Sequence, residues 1–318
     1  MSKDFAVGID IGGTNTKFGI VDKHGIILEQ SRMRTDAHEN AEDFIEELYG
    51  HLALMIANHD GNEKFKGIGI GAPNGNYYTG TIEYAPNLKW KGIIPVAELV
   101  EKKFGLPAKL TNDANAAAVG EMMYGAAKGM KHFITITLGT GVGSGIVIDG
   151  KIVIGHDGFA GELGHTIIRP GGRMHKGTGI RGSLESYASA TGVRETAIEF
   201  LTEDPAASSL LRNYSIDDLT SETVFHCAEQ GDAIANNIFE FTGQILGEAL
   251  ANFVMFSSPE AIVLFGGLTK AGDLILKPTV QAMEANLIQV FKNKVKIIFS
   301  DLKEADAAIL GASALVWE

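Results

Sequence analysis

The chain has 318 residues, 39 of them glycine, and its 27 Lys plus Arg stand against 39 Asp plus Glu for a net charge of −12. That length supports about two domains with cores of their own. The acidic balance disfavours a nucleic-acid partner, and a single cysteine, Cys227, excludes a disulfide framework or a site built from several thiolates. No run approaches 18 apolar residues and the first residues lack a leader's basic-then-apolar pattern, so a cytoplasmic chain that meets no membrane is expected.

FAVGIDIGG (5–13) reads as a strand ending in a glycine pair, and TKFGIVDKHGIILEQ (16–30) continues as two strands about the turn DKHG. AEDFIEELYGHLALMIANH (41–59) has helical spacing with acidic residues in its first turn. A strand into a loop follows at 65–74, and a short helix closed by glycine at 95–105. AKLTNDANAAAVGEMMYG (108–125) reads as strand, polar corner and helix. HFITITLGTGVGSGIVIDGKIVIG (132–155) then repeats the opening pattern about 126 residues on, GIVID at 145–149 answering GIVD at 19–22, which points to duplication of a whole domain.

Helices are predicted over 184–202 and 216–256, a buried strand at 261–267, a helix from 273, a strand from 295 and a final helix from 307. Such alternation, occurring twice, indicates an α/β protein with mixed sheets. No low-complexity linker divides the halves, so the chain is expected to cross between them inside elements near 112–121 and 301–310.

DIGGTNTKFG and LGTGVGSG lack the three glycines of a dinucleotide fingerprint and are followed by strands rather than helices, and no P-loop pattern occurs. They are either plain tight turns or phosphate cradles, in which backbone N–H groups and the hydroxyls of Thr14, Thr16 and Thr140 wrap phosphate oxygens. Two related copies favour the cradle. Asp10, ending an apolar strand, needs a partner, and Mg²⁺ reached through water suits a carboxylate beside phosphates.

These motifs, with GAPN (71–74), NDANAAAVGE (112–121), GELGH (161–165), GSLESYAS (182–189) and FGG (265–267), resemble those of ROK-family sugar kinases over essentially the whole chain. The resemblance implies duplicated actin-like ATPase domains of ribonuclease H type, in two lobes with mixed sheets and a cleft between them. The smaller lobe is expected to comprise 1–112 with about 303–318, and the larger 113–302. It implies a glucokinase-like enzyme that transfers the γ-phosphoryl group of ATP, with Mg²⁺, to a hexose hydroxyl, O6 of a glucose-type sugar. Mannose, N-acetylmannosamine, allose and fructose are alternative acceptors, and polyphosphate an alternative donor. A homodimer is also implied. The family's repressors carry a winged helix-turn-helix ahead of the first phosphate turn, where nine residues precede Asp10 here. A non-catalytic sugar sensor on the same fold is the other rival.

By the same resemblance Asp113 is the catalytic base, although locally it reads equally as a helix N-cap. Asn112 offers a donor and acceptors to sugar hydroxyls, and Asn87 does the same, although an Asn after Pro also fits a plain turn. The backbone of Gly12, Gly13, Gly139, Thr140 and Gly141 is matched to phosphate, and Gly266 and Gly267 to adenosine. In GELGHTIIRPGGRMHKGTGIRGSLE (161–185), Glu162, His165 and Glu185 match sugar-binding positions. The family's three zinc cysteines are replaced by Lys176, Thr178 and Ser183, so zinc is expected to be absent and the glycines and Arg181 to hold the loop.

Overall fold

A computed structural model describes residues 3–59 and 61–317. It comprises two compact units: unit 1 is Met1–Lys131, Gly145–Gly161 and Ser300–Glu318, and unit 2 is His132–Ser144 and Glu162–Phe299.

Unit 1 opens with β1 (Phe5–Ile11), β2 (Asn15–Asp22) and β3 (Ile27–Arg34), followed by α1 (Ala41–Asn58) and β4 (Phe65–Gly71). Three short strands, β5 (Gly75–Asn76), β6 (Thr81–Glu83) and β7 (Ile93–Ile94), form a sheet of their own. Strands of two or three residues carry no period, and the sequence showed none there. α2 (Val96–Phe104), β8 (Ala108–Thr111) and α3 (Asp113–Tyr124) follow.

The main sheet runs β3-β2-β1-β4-β8, with β1 antiparallel to β2 and parallel to β4, and β4 parallel to β8. Asn40 caps α1, its Oδ1 accepting from Asp43 N at 2.9 Å, and the apolar stripe of Phe44, Ile45, Leu48 and Leu52 packs with Phe18, Ile68 and Ile70 in one core. α2 closes as expected on Gly105 in the left-handed region.

Unit 2 begins with β9 (Phe133–Leu138) and β10 (Val142–Ile148); the last residues of β10, and β11 (Lys151–Ile152), belong to unit 1. Then come α4 (Glu185–Ala188), α5 (Ala190–Glu203), α6 (Ser221–Glu229), α7 (Ala233–Ser257), β12 (Ala261–Phe265), α8 (Asp273–Asn286) and β13 (Lys296–Phe299). α9 (Glu304–Ala314) returns to unit 1.

The second sheet takes the order β11-β10-β9-β12-β13, the same arrangement of a hairpin followed by parallel strands, so the duplication read from GIVD and GIVID is present in the fold. Two expected helices are each divided by a cap. Ser189 ends α4 and starts α5 with its Oγ accepting from Gly192 N at 2.9 Å, and Asp232 starts α7 with its carboxylate accepting from Ala235 N at 2.9 Å.

The boundary between units departs from the expected 1–112 and 303–318: unit 1 also takes α3 and residues 145–161. The reason is packing. α3 runs along α9, and α9 lies on β1 and β4 so closely that a Cβ on Gly69 would stand 1.8 Å from Ala312 O. Among the described residues no helix is long and apolar enough to cross a membrane.

Candidate active site

In unit 1 three parallel strands end together. Asp10 of β1 pairs with Gly71 of β4, which pairs with Thr111 of β8, and Asp113 follows two residues later. A Cβ on Gly71 would lie 3.7 Å from Asp113 Cα and 3.9 Å from Asp10 Oδ1, so the bare strand leaves the two carboxylates as neighbours. Asn112, not Asp113, caps α3: its Oδ1 accepts from Asn115 N at 2.6 Å. The capping alternative for Asp113 is therefore taken by its neighbour. Asp113 is the first helical residue, its Oδ1 accepting from Ala114 N at 2.9 Å.

Burial raises the Asp10 carboxyl to about 6, the charge of Asp113 adds to the rise, and Lys17 opposes it. Lys17 stands opposite Asp10 across the β1–β2 ladder, a residue that sequence reasoning passed over although its place in the hairpin register gives it away. The Asp113 carboxyl is also raised, by the density of protein around it, while its side chain keeps a water-accessible face.

The first glycine turn closes with Gly12 N donating to Asn15 O at 3.0 Å. Gly13 lies against the backbone of Asn87, where a Cβ would approach Asn87 O to 2.8 Å, so two expected ligand residues far apart in sequence meet here. Thr14 is exposed. Thr16 departs from the phosphate role expected of it: it is fully buried and its Oγ1 lies 2.7 Å from that of Thr35. Pairing of the inner residues of β2 and β3 turns this hydroxyl into the core.

In unit 2 the second turn leaves β9 at Leu138 and enters β10 at Val142. Gly139 O accepts from Ala190 N at 2.8 Å and Thr140 O accepts from Thr191 Oγ1 at 2.9 Å, so the turn rests on the first residues of α5. Gly266, at φ 107°, packs on the end of β9, where a Cβ would stand 2.6 Å from Leu138 O. This brings the FGG motif beside the second glycine turn. Gly267 opens on a cavity of about 340 Å³ lined by Phe225, Phe239, Leu268, His226 and Lys270, which has the apolar walls and polar rim that suit a purine base.

The loop 161–185 gathers round the start of β10. Leu163 N donates to Ser144 Oγ at 3.1 Å, and Gly164 packs on Val142. His165 Nε2 is 3.8 Å from Glu162 Oε2, and His165 Nδ1 is buried with no hydrogen-bond partner among the described residues. Glu185 Oε2 accepts from Val142 N at 2.8 Å, and Glu185 Oε1 lies 3.0 Å from His175 Nε2. Glu162 and His165 thus form one pair and Glu185 and His175 another, with the two imidazole rings 6.4 Å apart.

The anchor of this loop is Arg173, not Arg181. Arg173 Nη1 donates to Ser186 O at 2.6 Å and Gly192 O at 3.0 Å, Nε donates to Glu199 Oε1 at 2.9 Å, and the guanidinium lies 4.6 Å over the Tyr187 ring. The Arg181 side chain donates to Gly172 O at 3.4 Å, its one hydrogen bond among the described residues. Both are arginines in one glycine-rich loop, and only the packing of α4 and α5 distinguishes them. Among the described residues no group of three or more His, Cys, Asp or Glu is arranged to hold a metal ion.

The model of one family, the ROK family, matches residues 6–318. The chain belongs to the ROK family. This ROK protein is 36% identical to a glucokinase of Halalkalibacterium halodurans over 99% of its own length and 96% of the relative's. It also superposes with a TM-score of 0.80, at 32% identity and 98% coverage of both chains, on a ROK glucokinase from Streptomyces griseus whose crystal structure holds glucose and AMPPNP. The ROK chain is 29% identical to a xylose repressor of Caldicellulosiruptor bescii, matching 98% of itself but 77% of that protein.

Proposed function

We propose that this ROK-family sugar kinase transfers the γ-phosphoryl group of ATP to O6 of a glucose-type hexose, with Asp113 as the base. The observation that carries the reading is the Asp10–Asp113 pair at the ends of parallel strands, with Asp113 at the first position of α3 rather than at its cap. A carboxyl raised above its ordinary value and open to water on one side is a better proton acceptor than an ordinary aspartate.

Asp113 accepts the proton of the attacking hydroxyl as phosphoryl transfer proceeds. Asn112 spends its Oδ1 on the cap and keeps its Nδ2 for a sugar oxygen. Asn87, Glu162, His165 and Glu185 hold further hydroxyls, the carboxylates accepting and the imidazole donating or accepting. Backbone N–H groups at Gly12, Gly13, Gly139, Thr140 and Gly141, with the hydroxyls of Thr14 and Thr140, bind phosphate oxygens. The cavity beside Gly266 and Gly267 takes the adenosine.

Asp10 fits Mg²⁺: a half-buried carboxylate raised first by burial and then by a second carboxylate is relieved by a cation. Asp10 would hold the ion, which when bound would supply neutralisation of charge on the phosphoryl group being transferred. A cytoplasmic homodimer is the form we propose, to be checked by sedimentation of the purified protein.

A coupled assay for ADP release over glucose, mannose, N-acetylmannosamine, allose and fructose tests the reaction and ranks acceptors, and Asp113→Asn tests the base. The variant is expected to lose at least about 100-fold in kcat while still binding hexose. Near wild-type kcat would remove Asp113 from that role.

A further inference from the structure

We infer that His175 is a positioning residue for the hexose: it fixes the carboxylate of Glu185, and through Glu185 it ties the sugar loop to the second phosphate turn. The inference rests on the proposed role of Glu185 in binding sugar.

The hydrogen bonds around His175 determine where its proton lies. Thr178 N donates to His175 Nδ1 at 3.2 Å, and Thr178 Oγ1 stands 2.9 Å from the same nitrogen. A backbone N–H cannot accept, so Nδ1 is the acceptor and the ring proton is on Nε2. Nε2 therefore donates to Glu185 Oε1 across 3.0 Å. Thr178 occupies one of the family's cysteine positions, and its role in this chain is to set the tautomer of His175.

The backbone that carries His175 is held on both sides. His175 N donates to Ile180 O and Gly179 N donates to His175 O, each at 2.8 Å, and Met174 bridges to Arg181. Arg173, two residues before His175, donates to the carbonyls of Ser186 and Gly192. The other oxygen of Glu185, Oε2, accepts from Val142 N at 2.8 Å, and a Cβ on Gly141 would stand 2.3 Å from it. One donor per oxygen fixes the carboxylate plane, while a carboxylate has about four acceptor directions, so two remain for sugar hydroxyls. A carboxylate oriented in advance binds hydroxyls without the cost of ordering its rotamer. The same two bonds join the loop to the residue that follows the phosphate turn.

The test measures kcat, the KM values for glucose and ATP, and calorimetric glucose binding for four proteins: His175→Ala, His175→Gln, Glu185→Gln and the Ala/Gln double variant. Loss of one hydrogen bond to a charged group predicts a glucose KM and dissociation constant raised about 10- to 100-fold in His175→Ala, with kcat within about threefold. His175→Gln, whose amide nitrogen can take the place of Nε2, should recover most of the affinity. In the Glu185→Gln background the His175→Ala change should add less than about threefold.

A His175→Ala protein with unchanged glucose binding overturns the inference, as does a His175 effect that persists undiminished in the Glu185→Gln background or is not rescued by Gln. If instead Glu185→Gln alone leaves glucose binding unchanged, the assignment of Glu185 to the sugar fails and the positioning role falls with it.

Discussion

Replacing Asp10 with Asn should make the free protein more stable while removing its activity. The Asp10 carboxyl is raised from 3.8 to about 6 by burial first and by Asp113 second, against the pull of Lys17. The folded chain therefore holds this proton more tightly than the unfolded chain. The stability linked to it is complete below about pH 4 and is lost as the pH rises through about 6. A gap of about two pH units at about 1.4 kcal/mol each gives a loss near 3 kcal/mol, reduced to about 2 kcal/mol by the water that reaches a half-buried side chain. Asn has the same shape and no charge to desolvate. In urea unfolding without nucleotide or Mg²⁺, Asp10→Asn should gain about 2 kcal/mol at about pH 7.5 and almost nothing at about pH 4. Mg²⁺-dependent phosphorylation should fall in the same variant. Equal stability at the higher pH, or the same gain at both, would refute the reasoning.

Other outcomes can be measured on the same protein. Arg173→Ala leaves the Ser186 and Gly192 carbonyls without their donor and should cost about 3 kcal/mol in thermal or urea unfolding, whereas Arg181→Ala should change it by less than about 0.5 kcal/mol. His165→Ala should raise the hexose KM with little change in melting temperature, because the Nδ1 it removes is buried without a partner among the described residues; a large drop in melting temperature would give His165 a structural role. Metal analysis should find no stoichiometric zinc, and EDTA inhibition should be fully reversed by excess Mg²⁺. Gly141→Ala should weaken hexose and ATP together, since its Cβ would displace the Glu185 carboxylate; unchanged KM values for both would contradict that geometry.

Much of this protein was fixed locally. Continuous apolar runs bounded by glycines specify β1, β2, β9 and β10, and the repeat of that pattern reports the duplication because each copy must bury the same strands. The polar corner at Thr111–Asn112–Asp113 marks the passage from β8 to α3, since Asn can cap a helix that Asp113 then begins. Local sequence did not decide which of the two residues was the cap, because both types fill that position equally well.

Tertiary structure settled the matters that depend on partners remote in sequence. Asp10, raised first by burial, is raised further by Asp113 only because the β1, β4 and β8 registers end at the same level. Thr16 resembles Thr14 in the motif, yet its hydroxyl is spent on Thr35, a residue presented by β-strand pairing. Arg173 was chosen over Arg181 by carbonyls on α4 and α5, and His175 acquired a carboxylate partner through a loop whose cysteine positions hold no thiol. Periodicity and turn chemistry are properties of neighbouring residues and can be read along the chain, whereas the charge, burial and partners of a site residue are set by contacts that exist only after folding.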